Sequence, residues 1–321
     1  MTLAFARSPS RLLWLDVVRG LAILAMASYH FSWDLEHFGY LQTGTVGSGL
    51  FRLYARAIAS TFLMLAGFGL VLGHTPAIRW RPFAIRLAKI VAAALVITIA
   101  TSVLFPDSYI FFGILHAIAA ASLIGLLFLR LPIAVTLIVA LAVFLAPDYL
   151  RGPAFDHPAL LWLGLPQTLP RSNDYVPLLP WLAPFLVGIV LAKLYLRFAQ
   201  RSTELAADRS PAAPARALAW AGRHSLPIYL IHQPLLYGIV YAVSLISPPD
   251  LGPAYLSSCV ASCSQTSDGA FCQNFCGCTL DQMRAQSLFE PFNRGQVTME
   301  DPRIGALANQ CTSKALEQPL Q

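Results

Sequence analysis

Seven stretches of the chain carry apolar side chains with little interruption, near residues 13–33, 55–73, 83–104, 109–129, 131–147, 180–199 and 226–246. Spanning a hydrocarbon core takes about 20 helical residues. Each stretch reaches or approaches that length, so the pattern predicts an all-α integral membrane protein with about seven transmembrane helices. The fifth stretch is short and joined to the fourth only by Arg130, Leu131 and Pro132. A removable signal peptide does not fit the first, which Asp16 and Arg19 interrupt and which lacks a cleavage site before the next polar segment.

The polar intervals divide the rest. Residues 148–180 contain Pro153, Pro158, Pro166, Pro170 and Pro177, which forbid a long helix, with Trp162 and Tyr175 suited to a membrane interface. They are expected to form an outer rim. From about 200 to 224, Ser, Ala, Pro and charges replace the apolar run, and the segment is expected to act as a hinge before the last span. The division expected is a membrane domain over 1–248 and a Cys-rich tail over 249–321.

Composition supports the membrane class: 56% of the 321 residues are hydrophobic and 12% are charged, against roughly 25% charged in a soluble domain. Charge also sets an orientation, because Lys and Arg on short loops mark the cytoplasmic side. Arg7, Arg11 and Arg19, then Arg79, Arg81, Arg86 and Lys89, then Arg130, then Lys193, Arg197, Arg201, Arg209, Arg216 and Arg223 gather on one side. The opposite loops hold Arg52, Arg56, Arg151 and Arg171. The N-terminus is therefore expected in the cytoplasm and the tail outside, in a bacterial inner membrane the tail being periplasmic. Anionic headgroups beside the spans account for the net charge of +6 without nucleic acid.

All six cysteines lie in the tail: Cys259, Cys263, Cys272, Cys276, Cys278 and Cys311. An even number in an oxidising compartment favours disulfides, with 15 possible connectivities for six cysteines. The rival is a zinc site, since two pairs spaced four apart share a helix face, but the spacing is not that of a zinc knuckle. No metal site is expected.

Ionisable groups inside hydrocarbon cost roughly 2.5–3.5 kcal/mol each at a span centre, so each requires a reason. Asp16 and Arg19 are three apart, close enough to pair, and suit either a topology anchor or an anionic substrate group. His30 and Asp34 are four apart on one helix face, where the carboxylate would fix the imidazole tautomer and leave the other nitrogen as a base. Acyl transfer uses such a group, because the attacking hydroxyl or amine must lose a proton. His116 lies ~10 Å into the fourth span and His232 about as deep in the seventh. A hydrogen-bonded histidine tying two helices together is the plain alternative for both. His37 and His157 are expected on outer loops, and His74 and His224 at the cytoplasmic surface. The clusters Ala66-Gly67-Phe68-Gly69 and Gly20-Leu21-Ala22 are read as close helix packing. No P-loop, dinucleotide-binding glycine run, His-Glu-x-x-His pair or nucleophile elbow occurs.

Several segments resemble a known family in order. They are Arg11-Leu-Leu-Trp-Leu-Asp16-Val-Val-Arg19-Gly20 with Met26 and Tyr29-His30-Phe-Ser-Trp-Asp34, then Phe112-Gly-Ile-Leu-His116. Pro177-Leu-Leu-Pro180-Trp181 with Gly188 follows, then Gly222-Arg-His224-Ser225-Leu-Pro-Ile-Tyr229-Leu-Ile-His232-Gln233-Pro234. Over roughly residues 10–246 the chain looks like bacterial proteins similar to the heparan-alpha-glucosaminide N-acetyltransferase catalytic domain. The last segment also resembles a His-containing span of the wider membrane acyltransferase group.

The resemblance implies a membrane acyltransferase that takes an acyl group, with acetyl expected, from a cytoplasmic coenzyme A thioester to an outer sugar or lipid-linked envelope acceptor. Acetyl-CoA or another acyl-CoA would be the donor substrate, with no tightly bound cofactor. His30, Asp34 and His116 are the expected catalytic residues. Asp16, Arg19, Tyr229, His232 and Gln233 are expected to bind substrate, and Arg79, Arg81, Arg86 and Lys89 to attract the thioester's phosphates. Two other classes stay open: a proton-coupled transporter, which would also keep histidines and one carboxylate within its spans, and a scaffold acting through the tail.

Overall fold

The computed structural model describes residues 12–199 and 212–317, and among these it is helical without strand. Arg7, Arg11, Arg201 and Arg209, and residues 200–211 of the expected hinge, lie outside the described residues. The seven apolar stretches become α1 (Leu13–His37), α2 (Gly49–Gly73), α3 (Trp80–Leu104), α4 (Ile114–Phe128), α5 (Ile133–Leu150), α6 (Leu178–Ala199) and α8 (Ser225–Ile246).

Five of these, α2, α3, α5, α6 and α8, are long and apolar enough to cross a membrane. The expected count of seven is thus not reached on both conditions. The 25-residue α1 carries Asp16 and Arg19 near one end and Asp34 and Glu36 near the other, and α4 has only 15 residues. The shortening of α4 has a cause in hydrogen bonding, because residues 108–112 bond to a second extended segment instead of winding into helix. Asn173 donates its N–H to the Ser108 carbonyl at 2.9 Å, and Val176 to that of Phe112 at 3.1 Å. The stretch expected to be weakest is in contrast a full 18-residue helix, α5, which continues through Pro147.

Two compact units divide the chain: residues up to His30 with Leu50–Leu235, and Phe31–Gly49 with residues from Leu236 onward. The unit holding the tail also takes in the ends of α1 and α8.

In the first unit, Leu63, Leu70, Phe185, Leu186 and Ile189 are fully buried. Glycine allows backbones to meet there. A Cβ on Gly67 of α2 would overlap the Phe185 carbonyl, and one on Gly188 of α6 the Met64 carbonyl. The outward faces are apolar: Ile99, Val103, Leu127 and Ile138 are 64%, 76%, 71% and 68% exposed. Surfaces of that kind belong against lipid. Lys193 of α6 donates to the carbonyls of Phe128 and Leu131, each at 2.6 Å, satisfying acceptors left at the end of α4.

The expected hinge is corrected over its second half, where residues Ala213–Arg223 form a helix, α7. Ala-rich sequence favours helix, and Pro214 sits in the first turn, where proline is tolerated. Gly222 of α7 abuts the Asp16 carbonyl and Gly20 of α1 abuts the Leu218 carbonyl, so α7 is packed on α1.

In the second unit the tail forms α9 (Gly252–Cys263), α10 (Gly269–Ala285), α11 (Phe289–Asn293) and α12 (Pro302–Glu317). Three disulfides use all six cysteines: Cys259–Cys276, Cys263–Cys272 and Cys278–Cys311. The four-residue spacings put two bridges on facing sides of an antiparallel α9–α10 pair. Leu280, Met283, Phe289, Ile304 and Leu307 form its core.

Candidate functional site

The first unit brings together two histidines that are 202 positions apart in the chain. The rings of His30 on α1 and His232 on α8 meet edge to face, with centroids 5.0 Å apart. His232 Nδ1 lies 2.7 Å from the Tyr229 carbonyl, one turn earlier on α8. A carbonyl only accepts, so Nδ1 carries the proton and Nε2 bears the lone pair. That Nε2 is buried and has no hydrogen-bond partner. An imidazole held in one tautomer with a bare, dry nitrogen is equipped to take a proton.

His116 is placed differently. The N–H of Gly113 donates to its Nδ1 at 3.2 Å, which leaves the proton on Nε2, 3.3 Å from Thr98 Oγ1. Thr98 in turn donates to the Ile110 carbonyl at 2.7 Å. Both nitrogens are thus engaged in holding the first turn of α4 against α3. Beside this cap lies Asp174, from the rim segment, whose Oδ2 accepts the Ile114 N–H at 2.9 Å. Gly113 makes room for it, since a Cβ there would overlap the carboxylate. Burial raises the Asp174 carboxyl to about 6 against the opposing pull of the Ile114 N–H. Asp174 is also an electrostatic neighbour of Tyr229.

A cavity of 880 Å³, within the ~300–1,000 Å³ usual for small-molecule sites, reaches Tyr229 and Ile114. Arg19, Arg81, Arg86, Lys89 and Arg223 supply its cations, Phe62, Leu65, Ile85 and Ile90 its apolar wall, and Ile114 and Tyr229 its approach to the α4 cap. A second cavity of 750 Å³ shares Arg19, Arg86, Arg223 and Ser225 with it and adds Asp16, Arg79 and Tyr195. Asp16 is 6% exposed and pairs with Arg19 at 2.9 Å, the i,i+3 bridge expected from the spacing. Gly69 faces the Arg19 guanidinium, its Cβ position 3.1 Å from Nη2, so a larger residue there would press on this arginine.

The predicted residues are therefore distributed unevenly. His30, Tyr229 and His232 converge, with Gln233 next in sequence on α8. Asp16 and Arg19 line the basic cavities. Asp34 is fully buried one turn beyond His30 on α1, and within the second unit it is an electrostatic neighbour of Tyr237. His37 ends α1 exposed, stacked on Trp33 and bonded to the Tyr237 hydroxyl at 3.2 Å. His157 caps a 3-10 turn. His74 is a correction: its ring nitrogens are buried without partners, edge-on to Phe83, so exposure does not explain it. Burial, with Arg86 and Arg79 nearby, lowers its affinity for a proton. Asp174 escaped the sequence reading because it is a lone carboxylate in a Pro-rich loop. A search for acids close before an extended Pro-x-x-Pro segment would have raised it.

A family model for the catalytic domain of heparan-alpha-glucosaminide N-acetyltransferase matches residues 11–234. The chain belongs to that family. At family level this makes it a membrane acetyltransferase, and the match takes in both cavities, the histidine pair and the α4 cap. The region matched by the heparan-alpha-glucosaminide N-acetyltransferase family ends before the disulfide-linked tail. Comparisons with curated proteins and with solved structures find no match.

Proposed function

We propose that this protein transfers an acyl group, acetyl in the first instance, from a coenzyme A thioester to a hydroxyl or amine of a sugar or envelope acceptor. One observation carries the reading most: His232, with its unpartnered Nε2, faces His30 one turn along α8 from Tyr229, which lines a cavity with five cations and an apolar wall.

A thioester of coenzyme A combines phosphates with a long neutral arm, and the cavity offers both kinds of surface. Arg19, Arg81, Arg86, Lys89 and Arg223 draw in and hold the phosphates. The Phe62–Leu65–Ile85–Ile90 wall covers the arm and keeps water from the thioester. His232 Nε2 takes the proton of the acceptor as its oxygen or nitrogen attacks the carbonyl carbon. The carbon–sulfur bond then breaks, and the thiolate recovers a proton from the imidazolium. His30, ring against ring with His232, holds that imidazole in place. In this reading Gln233 and Tyr229 orient the reacting groups, while His116 moves from the catalytic set expected from sequence to the cap of α4. The buried carboxylate of Asp34 fixes α1 one turn beyond His30. The donor side is the cytoplasmic one, by the distribution of Lys and Arg.

The test is release of free coenzyme A from acetyl-CoA by purified protein in lipid vesicles, with and without an envelope extract as acceptor. Release that depends on the extract and falls by about 10²–10⁴ in His232→Ala supports the reading. Folded protein that consumes no thioester, but carries solute down a proton gradient, would replace it with a transporter.

A further inference from the structure

We infer that Asp16 and Gly69 are positioning residues of this reaction: together they seat the Arg19 guanidinium in the wall that the two basic cavities share, where it meets the phosphates of the donor. The inference rests on the acyltransferase reading and adds two residues to it. Neither touches the reacting atoms, and both act through Arg19.

Arg19, Arg86 and Arg223, from α1, α3 and α7, line both cavities together with Ser225. A ligand that occupies both cavities therefore passes between these three cations. Like charges gathered at one wall push their flexible side chains apart. Asp16 opposes this at Arg19. It is the one acid among the described residues that line either cavity, it is 6% exposed, and its Oδ1 accepts from Arg19 Nη1 at 2.9 Å. Among the described residues neither Arg86 nor Arg223 forms an ion pair. A carboxylate in a cavity for phosphates repels them unless its charge is engaged elsewhere, and Arg19 engages it. The other terminal nitrogen of the guanidinium lies over Gly69. Gly67, two residues earlier in α2, abuts the Phe185 backbone and serves helix packing, whereas a Cβ on Gly69 would meet only Arg19, 3.1 Å from Nη2. The two glycines of that cluster thus have separate tasks, a helix crossing at 67 and a notch for the guanidinium at 69. With the carboxylate on one side and the notch on the other, Arg19 is fixed before the donor arrives, and binding does not have to order it.

The experiment measures donor KM, kcat and inhibition by free coenzyme A in the vesicle assay for wild type, Asp16→Asn, Asp16→Glu, Gly69→Ala and Gly69→Val. Two further proteins carry Asp16→Asn with Arg19→Gln, with and without Gly69→Ala, so that no buried charge is left without its partner. Melting in detergent checks the fold of each. Expected is a donor KM raised about fivefold in Asp16→Asn and Gly69→Val and less in Gly69→Ala, with kcat within about twofold of wild type. Inhibition by coenzyme A should weaken in step. Asp16→Glu, which keeps the charge and still reaches Arg19, should restore most of the affinity. Once Arg19 is replaced, Gly69→Ala should have no effect. A donor KM that falls in Asp16→Asn would show a carboxylate that only repels the donor, and a Gly69→Ala effect that persists without Arg19 would show a glycine needed for packing. Either result overturns the inference and leaves the acyltransferase reading intact, as does loss of kcat at constant KM. If Asp16→Asn does not fold, the Gly69 series decides. Wild-type protein that transfers no acyl group overturns both.

Discussion

His232 lies about two turns into α8 and His116 in the first turn of α4, and the two rings are hydrogen-bonded differently. His232 spends one nitrogen on its own helix and keeps the other bare. His116 spends both on the α4 cap. Replacing His116 by alanine should therefore act on stability, costing about 1 kcal/mol for the lost cap, with turnover far above that of His232→Ala. Parallel melting and coenzyme A release assays would separate the two, and equal loss of turnover in both variants would return His116 to the catalytic set. Asp174 makes a prediction with a defined sign. Its carboxyl titrates at about 6 in the fold against an ordinary 3.8, so between those values the folded state holds the extra proton. The contribution of this group to stability accordingly falls as pH rises through that interval. Asp174→Asn, which does not titrate, should gain on wild type from pH 4 to 7, by at most about 3 kcal/mol. A stability difference that stays constant with pH would mean that the carboxyl is not buried in solution.

At the scale of helices, two devices build the first unit. The crossing of α2 and α6 depends on Gly67 and Gly188, each set against a carbonyl of the other helix. Gly188→Leu should force the helices apart and destabilise the protein by roughly 1–3 kcal/mol, seen as a lowered melting temperature in detergent. An unchanged melting point would show that the two helices can separate without cost. The second device is the gathering of helix ends around the cavities: Arg19 of α1, Arg81 and Arg86 of α3, Arg223 of α7. No single one of these arginines is a motif. Their charge acts as a field, so Arg86→Gln should raise the donor KM several-fold, by about 1 kcal/mol, and shrink the salt dependence of kcat/KM. A donor KM unaffected by Arg86→Gln would move the phosphates elsewhere.

On the scale of the whole chain, the two units are stabilised by different physics. The first presents an apolar exterior to lipid and satisfies its backbone within helices, while the second adds a small core, Leu280, Met283, Phe289, Ile304 and Leu307, and three covalent links. Closing loops of this length by a disulfide stabilises a fold by roughly 2–4 kcal/mol. Reduction should therefore open the tail to proteolysis and amide exchange while the spans stay protected. Tail helices that remain resistant after complete reduction would mean that packing alone suffices.

Much of this architecture was legible in the residues alone. Hydrophobic run length located the helices, because a chain in hydrocarbon must bond its own backbone. The i,i+3 spacing announced the Asp16–Arg19 pair, the small-residue clusters announced tight crossings, and six cysteines confined to one segment announced disulfides. These are local consequences of helix geometry or composition. What only the tertiary structure decided was which distant groups meet: His30 with His232, Asp174 with the start of α4, and which cysteine pairs with which. Long-range packing sets those distances, and no period or spacing along the chain records it. The different hydrogen bonding of His116 and His232 has the same cause, since a ring nitrogen is free or engaged only through neighbours that folding supplies.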